Sequence, residues 1–304
     1  MLIKDIRNII TVAPEVTKLF PNRPRDEYFG EIGMNPSSLA VGLVGTNDIN
    51  PCAVKLAWES PDAVPRTMAS QDSLDRGTLA HLMVLQPELL LDRVAVWRGG
   101  RRAGNEYNDF EIDNQGKLLL TAADYTRVAT ATNAMRSISP VAKLICGLSF
   151  EVAMLGTEKC KVLDDHLRVK GQVDGVNIAT KTIIDLKTTE AGIDQRSVER
   201  TIRTFHYREK MAMYRRWIAR ATETGTDGWK CYNIFMSLRE PFGVVIVKFT
   251  GDSLDWGAER MLTSLGAVEQ CLAANEWPMY CREMFMNIEP WECDEDNGDL
   301  DYDT

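Results

Sequence analysis

Long apolar runs are missing from this chain: nothing in its 304 residues approaches the roughly 18 that a membrane-spanning helix needs. The opening MLIKDIRNII places Lys4, Asp5 and Arg7 where a secretory signal would need uninterrupted apolar residues. The expectation is a cytoplasmic protein with no membrane partner. Paired cysteines are missing too. The seven cysteines (Cys52, Cys146, Cys160, Cys231, Cys271, Cys281, Cys293) are odd in number, scattered, and never spaced C-x-x-C. That spacing speaks against a disulfide framework, a zinc site or an iron–sulfur cluster, and reduced thiols are expected. Positive charge is short overall, with 35 Lys and Arg against 44 Asp and Glu and a net charge of −9. This at first opposes a polyanionic partner.

The distribution of charge weakens that objection. Residues 292–304, ECDEDNGDLDYDT, hold seven acids and no Lys or Arg, which leaves −2 on the rest of the chain. Residues 196–220 hold eight basic residues against two acids. A local field of that kind matters more than total charge for steering a polyanion. The 44% hydrophobic and 26% charged composition is that of a globular protein able to bury a full core.

No repeat and no Pro/Gly/Ser linker divides the chain. NPSSLAVGLV and NPCAVKLAWES read as short helices capped by Asn35 and Asn50, with Pro36 and Pro51 in the first turn. Residues 73–86 have helical spacing and carry His81. DRVAVW reads as a strand, followed by a polar, mobile loop, RGGRRAGNEYND, bearing Arg98, Arg101 and Arg102. Helical patterns cover residues 121–137 and 140–146. The period then changes from helical to alternating. FEVAML, LRVKGQVDGV, TIIDLKT, KCYNIFMSL and FGVVIVKFT read as five strands, interrupted by a helix or helix pair over residues 195–222 and followed by a long helix over 254–274. Strands grouped between helices predict a single mixed α/β (α+β) domain. The acidic end reads as a disordered tail.

GQVDGVNIATKTIIDLKTT concentrates the chemistry. Alternation along a strand puts Asp174 at the end of a polar face with Arg168, Lys170 and Gln172, and puts Asp185 and Lys187 on one face with Ile183. If the two runs pair, the two carboxylates converge beside a lysine. Carboxylates held close together need a positive partner, commonly a hard cation such as Mg²⁺, which polarises a phosphodiester oxygen and acidifies bound water. The lysine can orient that water or offset transition-state charge. Chance alone yields about two acid-x-Lys triplets in a chain of this composition. On spacing alone, a surface hairpin carrying an Asp–Lys pair explains the stretch equally well.

Taken with their neighbours, these residues resemble the PD-(D/E)xK nucleases, in particular the exonuclease VIII (RecE)-like branch related to the RecB nuclease domain and λ exonuclease. RGTLAHLMVLQPE matches a Gly-x-x-x-His helix through Gly77 and His81. RGGRRAGNEYNDFEIDNQGKLLLTAAD matches an Arg-rich loop before a "gk…lt" segment, and Glu151 an acid on the preceding strand. Asp174 matches the first metal aspartate, Asp185-Leu186-Lys187 the D-x-K triplet, and the segments around Trp277 and Trp291 the W-P-x-Y and P-x-W signatures. The chain departs from the family in HYREKMAMYRRW, which keeps Tyr214 of a Gln-x-x-x-Tyr motif but has Lys210 at the glutamine position.

The resemblance implies a restriction-endonuclease-like core, a central mixed sheet flanked by helices, over residues 35–291. An N-terminal arm (1–34) would precede it and the acidic tail (292–304) would follow. It implies Asp174, Asp185 and the Leu186 carbonyl as Mg²⁺ ligands, with His81 as a further ligand and Mn²⁺ as a substitute ion. Lys187 becomes the catalytic lysine and Glu151 outer support. Apart from the resemblance, the basic run over residues 196–220 reads as a phosphate-facing surface, with Arg203, Arg208, Lys210 and the motif's Tyr214 expected to contact DNA together with Arg101 and Arg102 of the polar loop. The implied activity is 5'-3' exonucleolytic digestion of linear duplex DNA in phage-type recombination. Some members form ring-shaped homo-oligomers or work with a single-strand annealing protein. Two rivals stand beside this: a non-catalytic DNA-binding or assembly protein of the same fold, favoured by Lys210 and the net negative charge, and an endonuclease of the same fold. His166 is expected to be exposed in a turn, His206 no closer than the surroundings of the site, and Trp58, Trp97, Trp217 and Trp256 to be packed in the core.

Overall fold

The computed structural model describes residues 5–11, 17–23, 25–44, 48–60 and 70–279. The acidic tail, and Tyr280 and Trp291 of the C-terminal signatures, lie outside the described residues. Strands β1 (Ile10–Thr11) and β2 (Thr17–Phe20) are followed by helices α1 (Arg25–Gly30) and α2 (Pro36–Val41), the short pair β3 (Leu43–Val44) and β4 (Asp48–Ile49), and α3 (Pro51–Glu59). Next come α4 (Gln71–Leu85), α5 (Leu90–Arg93), β5 (Val94–Trp97), α6 (Asn105–Asp113), β6 (Leu118–Thr121), α7 (Ala122–Ser137) and α8 (Ser139–Ile145). Strands β7 (Ser149–Lys159), β8 (His166–Asn177) and β9 (Thr182–Thr189) precede α9 (Gln195–Thr204), α10 (Tyr207–Ala221), β10 (Lys230–Ser237), β11 (Val244–Lys248) and α11 (Gly251–Ala274).

The caps expected from sequence form. Asn35 accepts from the Ser38 N–H at 2.8 Å and Asn50 from the Ala53 N–H at 3.1 Å, satisfying amides that a helix start otherwise leaves open. The main sheet runs β11-β10-β9-β8-β7-β2, with β1 added along β8. Strands β9 and β10 are parallel and joined across the sheet by α9 and α10, whereas the other strand pairs of this main sheet are antiparallel; β5 and β6 form a separate parallel pair. On one face Met211, Trp217 and Ile218 of α10 and Met261 and Leu265 of α11 pack with Val152, Met154 and Val169. On the other, Leu79 and Met83 of α4 and Val128 and Met135 of α7 pack with Ile184, Leu186 and Ile234.

Two irregularities in this sheet open the site. Strands β8 and β9 pair only at Gly175–Ile184, Val176–Ile183 and Asn177–Thr182, then separate as they approach Asp174 and Asp185. The edge of β8 beyond that fork is filled by β1 and by Met34, which exchanges backbone hydrogen bonds with Arg168 and Lys170. The alternation of faces also reverses at Glu151 and Asp174. Val152 and Val173 pack with the α10 side, while Phe150 packs with Ile184 and Leu186, and a Cβ at Gly175 would meet Ile184 and Leu148. Glu151 adopts φ 46°, a left-handed conformation unusual for a residue with a side chain. The strict alternation expected for LRVKGQVDGV therefore holds only to Val173.

Other expectations change as well. The loop after Trp97 is short, because residues 105–113 form α6 and close an aromatic cluster of Trp97, Tyr107 and Phe110, with centroids 5.3–6.2 Å apart. The described part of the N-terminal stretch is woven into the fold: β1 and β2 join the sheet, and Ile6 and Ile9 are core residues. His166 is half-buried as the first residue of β8, paired with Thr11. Trp58 and Trp217 are buried, Trp97 is half-buried, and Trp256 lies at the surface, with the Arg208 and Arg260 guanidinium groups 4.0 and 4.8 Å from its ring.

Candidate active site

The fork between β8 and β9 leaves the Leu186 N–H without a strand partner, and the Asp174 carboxylate takes that place, accepting at 2.5 Å through Oδ2. The other oxygen of Asp174 lies 3.5 Å from His81 Nδ1, and His81 Nε2 lies 3.1 Å from the Leu186 carbonyl oxygen. His81 reaches the fork because α4 crosses close over β9. A Cβ at Gly77 would come within 3.3 Å of Thr188 Oγ1, so the small residue one turn before the histidine permits the approach. Immediately before that glycine, Arg76 pairs with Asp124 at 3.0 Å and with Glu190 just beyond β9, pinning helix to strand.

The left-handed backbone at Glu151 aims its side chain at the same place. Single ligand atoms of His81, Glu151 and Asp174 lie within 4.8 Å of one another. This nitrogen-and-oxygen donor set, without thiolates, suits a hard divalent cation. Glu151, expected only as outer support, thus lies among the groups that could hold such a cation. Asp185 is arranged differently. Its carboxylate is 2.6 Å from Lys187 Nζ and accepts from Asn233 Nδ2 at 3.3 Å. Burial pushes the Asp185 carboxyl up, Lys187 pulls it down, and Asp174 pushes it up again. Burial works against the Lys187 charge, but Asp185 and Asp174 outweigh it and hold the ammonium above the usual lysine range.

His81, Glu151, Asp174 and Tyr214 line a cleft of about 1050 Å³ that also takes in Tyr28 and Gln172. Burial pushes the Tyr214 phenol far up, with the Asp185 charge adding to it. Lys210 lies one turn before Tyr214, and burial together with neighbouring Lys187 lowers it to about 8. The other residues expected to contact DNA divide. Arg101 and Arg203 are exposed. Arg102 is engaged, donating to Asp72 at 3.0 Å with Asp124 at 3.9 Å. Arg208 reaches Glu209 at 3.3 Å and lies over Trp256.

The other three arginines of α10 are engaged as well. Arg216 and Arg220 converge on Glu158 at 2.9–3.1 Å, and Arg215 pairs with Asp255. The basic run read as one phosphate-facing surface is therefore two things: an exposed α9 carrying Arg196, Arg200 and Arg203, and an α10 whose arginines are engaged by acids, Arg208 by its neighbour Glu209 and the other three by acids of other elements. The sequence reading missed Asn233 and Tyr207. Asn233 had a signal, a lone amide in the apolar run KCYNIFMS.

The family model described as a PDDEXK-like domain of unknown function (DUF3799) matches residues 52–288. Among solved structures, the chain is similar to the "Putative exonuclease" of Eubacterium rectale, with 12% identity and a TM-score of 0.57, covering 88% of this chain and 96% of that one. The phage related exonuclease of Haemophilus somnus 129PT aligns over 82% of this chain and 98% of its own at 12% identity, with a TM-score of 0.33. No curated protein matches the chain. With its mixed sheet flanked by helices and a family match over more than three quarters of its length, the chain belongs to the PDDEXK-like DUF3799 family, within the PD-(D/E)xK nuclease superfamily.

Proposed function

We propose that the protein is a Mg²⁺-dependent exonuclease acting on linear double-stranded DNA. The observation that carries this reading is the meeting of His81, Glu151 and Asp174 within 4.8 Å, beside the Leu186 carbonyl, with the Asp185–Lys187 pair on the adjoining strand. A cation held by His81, Glu151, Asp174 and the Leu186 carbonyl, with Asp185 close by, would supply Lewis-acid polarisation of a phosphodiester oxygen and a more acidic water. The chain's own groups do the rest. The Leu186 N–H fixes the Asp174 carboxylate, and Asp185 holds the Lys187 ammonium protonated, so that it orients water or offsets charge building on the phosphate. Exposed Arg196, Arg200 and Arg203 supply phosphate contacts beyond the reacting centre.

Action from an end, 5'-3' polarity, a ring-shaped assembly, an annealing partner, a place in phage-type recombination and a cytoplasmic setting rest on the motif resemblance to exonuclease VIII-like enzymes. No helix among the described residues is long and apolar enough to cross a membrane. Linear and covalently closed circular duplexes incubated with the protein, with and without Mg²⁺, test the reading. Loss of the linear form alone, only with Mg²⁺, is expected. Cleavage of the circle would assign an endonuclease, and binding without cleavage a non-catalytic DNA-binding protein.

A further inference from the structure

The motif pattern assigns nothing to Tyr207, the first residue of α10. Its ring faces two ammonium groups: Lys187 Nζ is 5.1 Å from the centroid and Lys210 Nζ 5.6 Å from the same centroid. Two like charges around one ring repel each other, and the electron-rich face of an aromatic ring stabilises a desolvated ammonium without neutralising it. A carboxylate in the same position would compete with Asp185 for Lys187. The ring is itself held. Phe205 stacks on it with centroids 5.6 Å apart and planes 19° from parallel, and Phe235 packs at 6.1 Å. Phe235 is also the strand partner of Lys187 across β9 and β10, so ring and lysine are carried by one row of neighbours. His206, in a left-handed conformation with φ 52°, turns the chain so that α10 begins at this ring.

We propose that Tyr207 is a positioning residue, whose ring holds the Lys187 ammonium against Asp185 and gives the Lys210 ammonium a second contact on the same ring. This deepens the proposed nuclease function and rests on it. It also gives a reason why lysine is accommodated at position 210, since its charge has a ring face to rest on.

The test compares Tyr207→Leu, which removes the ring, with Tyr207→Phe, which keeps it; Tyr207→Met serves as a second ring-free variant. In protein labelled with ¹³C-lysine, the ε-methylene signals of Lys187 and Lys210, assigned with Lys187→Arg and Lys210→Arg, are expected to carry a ring-current shift. That shift should be retained in Tyr207→Phe and lost in the ring-free variants. Hydrolysis of linear duplex should fall roughly ten-fold in kcat in the ring-free variants with little change in KM, as expected when a transition-state contact is misplaced. Tyr207→Phe should restore it. Lysine signals indifferent to the ring, an unchanged kcat, a loss confined to KM, or a Tyr207→Phe variant as impaired as Tyr207→Leu would each overturn the proposal while the nuclease reading stands. A wild-type protein that hydrolyses no DNA overturns the nuclease reading and any effect of Tyr207 on hydrolysis together, and the lysine signals then still decide whether the ring holds both ammonium groups.

Discussion

Glu151, the third residue of β7, occupies a backbone conformation that costs a residue with a Cβ on the order of 1 kcal/mol, a cost that regular strand geometry would avoid. What it gains is direction: the carboxylate turns toward His81 and Asp174. Glu151→Gly should therefore leave the unfolding midpoint at or above that of the parent protein, because glycine accepts the conformation freely. Calorimetric titration with Mn²⁺ should show affinity lower by at least about ten-fold. A lowered midpoint with unchanged affinity would mean that the conformation serves packing instead. The motif residues His81, Asp174, Asp185 and Lys187 were legible because each belongs to a short local pattern. The standing of Glu151 was not, since a positive φ and a reversal of strand phase arise only when β7 and β8 are laid side by side. Tyr207 was missed because a ring faced by two lysines resembles any other half-buried tyrosine in sequence.

At the level of elements, α10 shows why charge patterning misleads. Its arginines lack acids at helical spacing, yet Glu158, some sixty residues earlier, accepts from Arg216, Trp217 and Arg220, and Glu209 accepts from Arg260 of α11 at 2.7 Å. Partners so distant in sequence leave no periodic trace. Exposed α9 should then carry the salt-dependent part of DNA binding. Arg200→Glu should weaken binding across sequences and reduce the salt slope by about one, whereas Arg216→Ala should leave the slope unchanged. Fluorescence anisotropy over a salt series, with Ca²⁺ in place of Mg²⁺, measures both.

Glu209 makes a pH prediction at the α10–α11 contact. Burial alone would raise its carboxyl, but the His206 contact, its own backbone N–H and the Arg208 charge outweigh burial and lower it to about 2 from an ordinary 4.5. A carboxyl depressed in the folded state contributes stability that is complete above the unfolded value and is lost as pH falls through the folded one. Urea midpoints should thus drop between about pH 4.5 and 2, and the drop should be smaller in Glu209→Gln. An equal drop in both proteins would remove Glu209 from the account.

In the molecule as a whole, one sheet carries an apolar core on each face, and the site lies where β8 and β9 stop pairing between those cores. The five strands, the capped helices and the helix pair between β9 and β10 were legible because alternation and helical spacing are properties of burial on one face. Helix α6 escaped notice because its sequence is mostly polar and its three-aromatic contact with Trp97 is tertiary. The stretch before Asn35 read as an arm because two- and four-residue strands are too short to show a period. The resemblance already set His81 beside Asp174, but the fork between β8 and β9 and the reversal of phase at Glu151 were beyond a linear reading, and on these the functional account depends.

The most direct measurement is hydrolysis of an end-labelled linear duplex by the parent protein, Asp174→Asn and Lys187→Ala, each with Mg²⁺ and with chelator. Asparagine can still accept from the Leu186 N–H, so the fork should stay formed in Asp174→Asn and the change falls on the carboxylate's charge. The account predicts cleavage by the parent protein only with Mg²⁺ and none by either folded variant. Undiminished Mg²⁺-dependent cleavage in Asp174→Asn or Lys187→Ala would contradict it.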